Sequence, residues 1–135
     1  FHVVGDGSMH AFVQSKLGRL PNVSLRCPIH GLPAYLSSFD YLLMPSVFEG
    51  LSIMSLEASM EALPVIANSC PGLRDTLPDD WPLKVSGNSI DAYMHIFNDI
   101  VAKEDKDKLG RIARDFAAAK FGVRQMQTSY EKVYG

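Results

Sequence analysis

Two carboxylates, Glu49 and Glu57, stand with seven residues between them in the stretch PSVFEGLSIMSLEASMEALPVIAN, positions 45 to 68. Glu49 follows the apolar run Tyr41-Leu42-Leu43-Met44, which places it in a loop after a strand. Glu57 falls about two turns into the helix that follows. In an open parallel sheet, ligands bind outside the carboxyl ends of the strands, and this loop and helix start must lie there. Gly50, Leu51 and Ser52 are expected to offer free backbone N–H groups at the positive end of a helix dipole. Such an end binds phosphate, and a glycine lets a ligand come close to the backbone. A phosphate at the helix start with a hydroxyl-bearing ring on either side suits a nucleotide-linked sugar. Glu49 would then reach one ring and Glu57 the other.

At about 100° per residue, Ile53, Leu56, Glu57 and Met60 share one stripe of that helix. Ser52, Ser55, Ser59 and Ala62 form a second stripe of small side chains. Glu57 is thus expected between Ile53 and Met60, where an unpaired buried carboxylate is costly. Two explanations stay open at this point. One is a buried ion pair or hydrogen-bonded acid that ties down a loop. The other is a carboxylate that accepts hydrogen bonds from ligand hydroxyls.

The elements that position these acids alternate. His2 to Val4 reads as a strand, followed by the turn Gly5-Asp6-Gly7. Met9, Phe12, Val13 and Leu17 fall at helical spacing, with Ser8 as the expected cap. Val23 to Cys27 is a short strand ending at Pro28, and Leu32 to Ser38 a short helix. Tyr41 to Met44 is a continuous apolar run, as in a strand buried on both faces. Leu51 to Glu61 is the helix of the two acids, stopped by Pro64, and Val65 to Ala67 is a further buried strand. Pro71-Gly72 opens a turn and a brief helix to Leu77, and Leu83 to Val85 is a last strand. Ile90 to Val101, with Ile90, Tyr93, Met94, Phe97 and Val101 on one face, reads as one amphipathic helix. Lys103 to Lys108 is a charged turn or helix start, and Leu109 to Lys120 and Val123 to Tyr134 complete the helices. Strand and helix in alternation predict an α/β, three-layer doubly wound parallel sheet.

Bulk properties narrow the classes. A chain of 135 residues, 47% hydrophobic and 21% charged, is expected to form one globular domain. A net charge of −2 argues against a nucleic-acid partner, which requires a basic face. No apolar run reaches the roughly 18 residues of a membrane span, and Phe1-His2-Val3-Val4 reads as a strand, not a signal peptide. Cys27 and Cys70 are expected as reduced thiols. His2, His10, His30 and His95 have no metal spacing. The turn Gly5-Asp6-Gly7 lacks the third glycine of a dinucleotide fingerprint, because His10 stands there. Gly-x-Ser-x-Gly is absent, which removes a serine hydrolase of that type. Arg74 beside Asp75 reads as a surface pair, and Trp81 as a hydrophobic anchor. The chain opens at Phe1 inside a strand, and is read as part of a longer protein truncated on its N-terminal side.

Taken together, Pro45-Ser46, Glu49-Gly50, Glu57-Ala58 and Pro64-Val65-Ile66-Ala67 resemble the signature of the C-terminal, donor-binding domain of the glycosyltransferase family 4 group, with the GT-B fold. Val4-Gly5-Asp6-Gly7 resembles that family's glycine turn, Leu36 to Asp40 the segment before the Pro-Ser strand, and Cys70 to Asp75 its glycine-containing loop ending in an acid. Ser129 to Tyr134 resembles the closing helix. Departures are Ala62 for a frequent Gly, Glu61 at a small or apolar position, Ser52 and Cys27 for glycines, and Cys70-Pro71 in a freer loop. They bear on donor specificity and loop shape.

The resemblance implies a rossmann-like donor half of a retaining, hexosyl-type glycosyltransferase that uses a nucleotide-diphosphate sugar and neither cofactor nor metal. Glu49 would be the catalytic residue near the donor sugar and its hydroxyls, and Glu57 would hold the ribose diol. Gly50, Leu51, Ser52 and Ile53 would meet sugar and diphosphate, Gly5 would lie in the glycine turn, and Cys27, Pro28 and Ile29 would border the base. Double displacement through Glu49 and front-side substitution both stay open. The acceptor, a sugar or a lipid-linked sugar, would bind through an N-terminal domain missing from this chain. Any membrane contact would also come through that domain, with the full-length protein cytoplasmic or peripheral at the inner membrane face. Polysaccharide or glycoconjugate assembly is the implied setting. The alternative is a non-catalytic nucleotide-sugar-binding or interaction module.

The basic pair with which the family grips the diphosphate belongs before Phe1. Residues 1–135 alone are therefore expected to bind donor weakly and to transfer no sugar. A radiolabelled-donor assay that detected transfer by these residues alone would overturn that expectation.

Overall fold

The structure is a computed structural model and describes residues 1–134. Its order is β1 (His2–Val4), α1 (His10–Leu17), β2 (Ser24–Arg26), α2 (Pro33–Leu36), β3 (Leu42–Met44), α3 (Ile53–Met60), β4 (Val65–Asn68), β5 (Lys84–Val85), α4 (Ile90–His95), α5 (Lys106–Phe121) and α6 (Val123–Tyr134). A 3₁₀ turn at Arg74–Thr76 links β4 to β5, and a π-helical stretch at Ile96–Val101 continues α4. Every strand pairing is parallel. The architecture is α/β, with parallel strands joined through helices, as the alternation predicts. The chain divides into two compact units, 1–34 and 35–135.

In the first unit, β1 pairs with β2 in the register His2–Ser24, Val3–Leu25 and Val4–Arg26. The Gly5 amide extends the ladder to the Arg26 carbonyl at 3.0 Å. None of residues 1–34 is fully buried. The predicted face of α1 is therefore covered only in part: Val13 and Leu17 are half-buried, while Met9 and Phe12 are exposed. Two strands and one helix supply too little surface to close a core. The expected Ser8 cap does not form, because α1 begins at His10 behind Met9 without a side-chain cap.

In the second unit the sheet order is β3-β4-β5. The central strand β4 is buried along its whole length, which its run Val-Ile-Ala demands. The strand expected to be buried on both faces, β3, is instead an edge strand with Leu43 exposed. Leu63, Leu73, Leu77, Leu83 and Val85 pack around β4 as the core. Trp81 is buried and donates its indole N–H to the Val65 carbonyl at 2.8 Å. That carbonyl precedes the first β4 residue paired with β5, so the indole stands in for a missing strand partner.

The helix of the two acids, α3, buries its small stripe. Ser55, Ala58 and Ser59 are inside, whereas Ile53 and Met60 are exposed. This reverses the expectation that the apolar stripe faces inward. Small side chains let α3 lie close to its neighbours. Across from it, α5 presents Leu109, Gly110, Ala113 and Ala117, and a Cβ on Gly110 would run into the Ala62 carbonyl oxygen. Inside the contact, Ser55 Oγ lies 2.8 Å from Thr76 Oγ1, which donates to the Leu73 carbonyl. Ser55 is therefore the donor of that pair, since a hydroxyl has one proton.

The far end of α3 closes in a left-handed cap. Ala62 has φ 55, the Ala62 amide bonds the Ser59 carbonyl, and the Leu63 amide bonds the Ala58 carbonyl, both at 2.9 Å. This is the Schellman arrangement, which favours glycine at the left-handed position. Arg114 Nε donates to the Met60 carbonyl at 2.8 Å and satisfies a further group of the last turn. At its own start, α5 is capped by Asp105, whose carboxylate accepts from the Asp107 and Lys108 amides. Those bonds hold the Asp105 carboxyl below its ordinary pKa.

The predicted single helix from Ile90 to Val101 changes pitch at Ile96. The wider π turn shifts the inward face by one residue. Ile96 becomes buried, while Ile90 and Met94 are exposed. Among the described residues, no helix is long and apolar enough to cross a membrane.

An alanine in the left-handed region costs about 1–2 kcal/mol. Ala62→Gly is expected to raise stability by about 1 kcal/mol, read as a higher urea midpoint with unchanged slope. Gly110→Ala is expected to lower it by about 1–3 kcal/mol, because the added methyl meets backbone that cannot yield cheaply.

Candidate functional site

The segment from Pro45 to Ser52 leaves the carboxyl end of β3 and leads into α3. Its main chain is held at several points. Asn68, the last residue of β4, donates through Nδ2 to the Ser46 carbonyl at 2.8 Å. Asn88, beyond β5, donates to the Pro45 carbonyl at 3.3 Å and accepts from the Tyr93 hydroxyl at 2.6 Å. Partial burial pushes the pKa of the Tyr93 phenol up from its ordinary value.

The third hold is the tightest. Gly72 has φ 78, and a Cβ there would collide with the carbonyl oxygens of Glu49 and Gly50. Its carbonyl accepts from the Ser52 amide at 3.3 Å, and its amide donates to Asp75 Oδ2 at 3.0 Å. The turn after β4 therefore fixes the path of the backbone that carries Glu49. A residue with a side chain at position 72 could not let the two segments approach so closely.

Ser52 caps α3, and its Oγ accepts from the Ser55 amide at 3.3 Å. The expectation that Gly50, Leu51 and Ser52 present the free amides needs correction for Ser52, whose N–H is spent on Gly72. The unpaired amides of the first turn, among the described residues, are those of Ile53 and Met54. Gly50 is exposed, and no atom of the chain lies within 4 Å of the place its Cβ would take. The close-packed glycine is thus Gly72, whereas the space beside Gly50 is open. Leu51 and Ile53 are exposed.

Glu49 and Glu57 are both half-buried. Among the described residues, neither carboxylate has a hydrogen-bond or ion-pair partner. The structural tie that would have explained Glu57 is not made. Its expected neighbours Ile53 and Met60 are exposed, so the carboxylate lies on a face open to solvent and not within the core.

The remaining candidate residues belong to the first unit. Gly5 is exposed and bonded through its amide to Arg26, Cys27 and Pro28 are exposed, and Ile29 is half-buried. Cys27 and Cys70 are free thiols, Cys70 buried. Arg74 and Asp75 form an exposed pair at 3.6 Å. Among the described residues, no three His, Cys, Asp or Glu side chains gather in a way that could hold a metal ion. Sequence reasoning missed Asn68, Asn88 and Thr76, whose roles depend on contacts across the sheet. Gly72 had a signal, a glycine inside a turn signature, but its close partner lies more than twenty positions away.

The model of the family described as "Glycosyl transferases group 1" matches residues 1–102. The chain belongs to this family. A glucosyltransferase acting on 2-deoxystreptamine, from Streptomyces kanamyceticus, is 29% identical over all of the chain and 38% of its own length. An uncharacterized 41.2 kDa protein in the cps region of Klebsiella pneumoniae is 31% identical over 76% of the chain and 29% of its own length. The chain thus spans well under half the length of these two relatives. Among solved structures, sucrose-phosphate synthase from Thermosynechococcus elongatus superposes with a TM-score of 0.79 at 21% identity, over 98% of the chain and 38% of that protein. At that identity the likeness speaks for a shared fold.

Asn68→Ala removes the donor to the Ser46 carbonyl and is expected to cost about 1–2 kcal/mol in a urea titration. Gly72→Ala is expected to cost at least as much and, in addition, to raise cleavage by protease between Pro45 and Ser52, because the loop must leave its place. An unchanged cleavage rate in Gly72→Ala would show that the contact does not hold the loop.

Proposed function

We propose that the chain supplies the donor site of a family 4 type, retaining glycosyltransferase, as the C-terminal half of a GT-B enzyme. The reaction moves a sugar from a nucleotide-diphosphate sugar to a sugar or lipid-linked acceptor. The observation that carries the reading is the pair of uncommitted carboxylates, Glu49 and Glu57, on a fixed loop and helix whose first amides are unpaired. Membership in the group 1 glycosyl transferases supports it.

In this reading the Ile53 and Met54 amides and the positive end of α3 receive the diphosphate and stabilise it as it departs. No bound cation is required for that charge. Glu57, one helical turn beyond Ile53, takes the ribose hydroxyls, since a carboxylate accepts two hydrogen bonds side by side. Glu49 meets the donor sugar next to the bond that breaks. Gly50, with open space beside it, admits the sugar without a clash. The acceptor domain and the basic diphosphate grip belong to the longer protein, which we place in the cytoplasm with any membrane contact through that domain. The two relatives, one a glucosyltransferase and one in a cps region, support a role in polysaccharide or glycoconjugate assembly.

Ligand-observed NMR on this chain with UDP, GDP, ADP and CMP is expected to single out one nucleotide series. Glu57→Ala is expected to weaken that binding about tenfold or more, the loss of a charged hydrogen-bond partner. Absence of binding by both this chain and the longer protein that contains it would sink the reading.

A further inference from the structure

The turn Cys70-Pro71-Gly72-Leu73 closes through the Leu73 amide, which donates to the Cys70 carbonyl at 3.3 Å. Proline in second place and a glycine of positive φ in third make it a type II turn. Types I and II differ by a flip of the central peptide, and both can keep the closing bond. Glycine adopts either state, so residue 72 does not hold its own φ of 78. The group that tells the two states apart is the Gly72 amide, which donates to Asp75 Oδ2 at 3.0 Å. Gly72 is buried. A flipped peptide would take that amide from its acceptor and turn the Pro71 carbonyl toward the carboxylate, and a buried amide without an acceptor is costly. Asp75 is itself fixed, because its carbonyl accepts from Lys120 Nζ at 3.2 Å. That ammonium lies over the Phe116 and Phe121 rings at the end of α5. The pair of Asp75 with Arg74, at 3.6 Å, is more than half exposed on both sides, so water screens it and it adds little.

We propose that Asp75 is a positioning residue for the donor diphosphate, acting through the Gly72 peptide. The inference rests on the glycosyltransferase reading and deepens it by adding a residue that touches no substrate. The bond from the Gly72 amide to Asp75 selects the turn that takes the Ser52 amide and flanks the Glu49 and Gly50 carbonyls. The Ile53 and Met54 amides follow Ser52 directly, so their aim depends on that grip. Glu57 lies farther along α3, toward the end that α5 holds through Gly110 and Arg114. Loss of the Asp75 carboxylate therefore falls on the diphosphate and spares the nucleoside.

The test uses the full-length protein and ligand-observed NMR with UDP, GDP, ADP and CDP and with the matching nucleosides. In the base series that wild type binds, Asp75→Ala is expected to weaken the diphosphate about three- to tenfold and to leave the nucleoside within about twofold. Asp75→Asn keeps an oxygen for the Gly72 amide and is expected to bind like wild type. The same is expected of Arg74→Ala, which removes only the ion pair. If Asp75→Ala does not fold, Asp75→Ser, too short to reach the amide, takes its place. Diphosphate affinity unchanged by loss of the carboxylate overturns the proposal. An equal loss for the nucleoside, the mark of a merely structural role, overturns it too. So does a loss shared by Asp75→Asn or Arg74→Ala, which traces the effect to charge and not to the amide bond. Failure of wild type to bind any nucleotide instead overturns the glycosyltransferase reading itself.

Discussion

The backbone of the Glu49 loop passes so close to residue 72 that the carbonyl oxygens of Glu49 and Gly50 occupy the place a side chain would need. Much else follows from that approach. Gly72 takes a left-handed conformation and gives its carbonyl to Ser52, the cap of α3. Its amide is in turn held by Asp75, in the 3₁₀ turn whose Thr76 hydroxyl meets Ser55 on the inner face of α3. One small residue thus sets the distance between the turn after β4 and the loop after β3, and the helix begins where that distance lets it begin.

The strands supply the other coordinates. Asn68 and Asn88 reach from the carboxyl ends of β4 and β5 to successive carbonyls at the start of the loop. The parallel register makes this work, because Met44 pairs with Ala67, and so the chain leaves β3 beside Asn68. An acid at the usual ligand edge of an α/β sheet is therefore held by the sheet itself. On the opposite side, α5 presses α3 inward through Gly110 and satisfies its last turn through Arg114. The position of Glu57 is fixed from both ends of its helix.

Much of this was legible in the residues. The alternation of short apolar runs with helical spacing led to the correct order of elements, and Pro64 and Gly72 marked real boundaries. Ala62 stood out as a departure from the glycine of the signature the sequence resembles, and its left-handed φ is one that favours glycine. What the pattern could not convey was which stripe of a nearly all-apolar helix turns inward. Hydrophobicity pointed to Ile53 and Met60, but close packing against β4 and α5 selected Ser55, Ala58 and Ser59. The edge position of β3 and the π turn at Ile96 are likewise set by neighbours distant in sequence. Asparagine at the ends of β4 and beyond β5 looks like ordinary turn chemistry until the loop it holds is seen across the sheet.

Before Ser52, the hydrogen bonds that hold the loop grip main-chain atoms, the carbonyls of Pro45 and Ser46, and Gly72 takes the Ser52 amide and passes close to the carbonyls of Glu49 and Gly50. Among the described residues, the side chains at 47, 48, 49 and 51 make no hydrogen bond or ion pair that holds it in place. Substitution at those positions can proceed without loss of the loop's path, so the same scaffold can be retuned from one ligand to another. In the proposed site, recognition and architecture fall to separate atoms of the same residues, which makes this loop a place where lineages can diverge in specificity while keeping the fold.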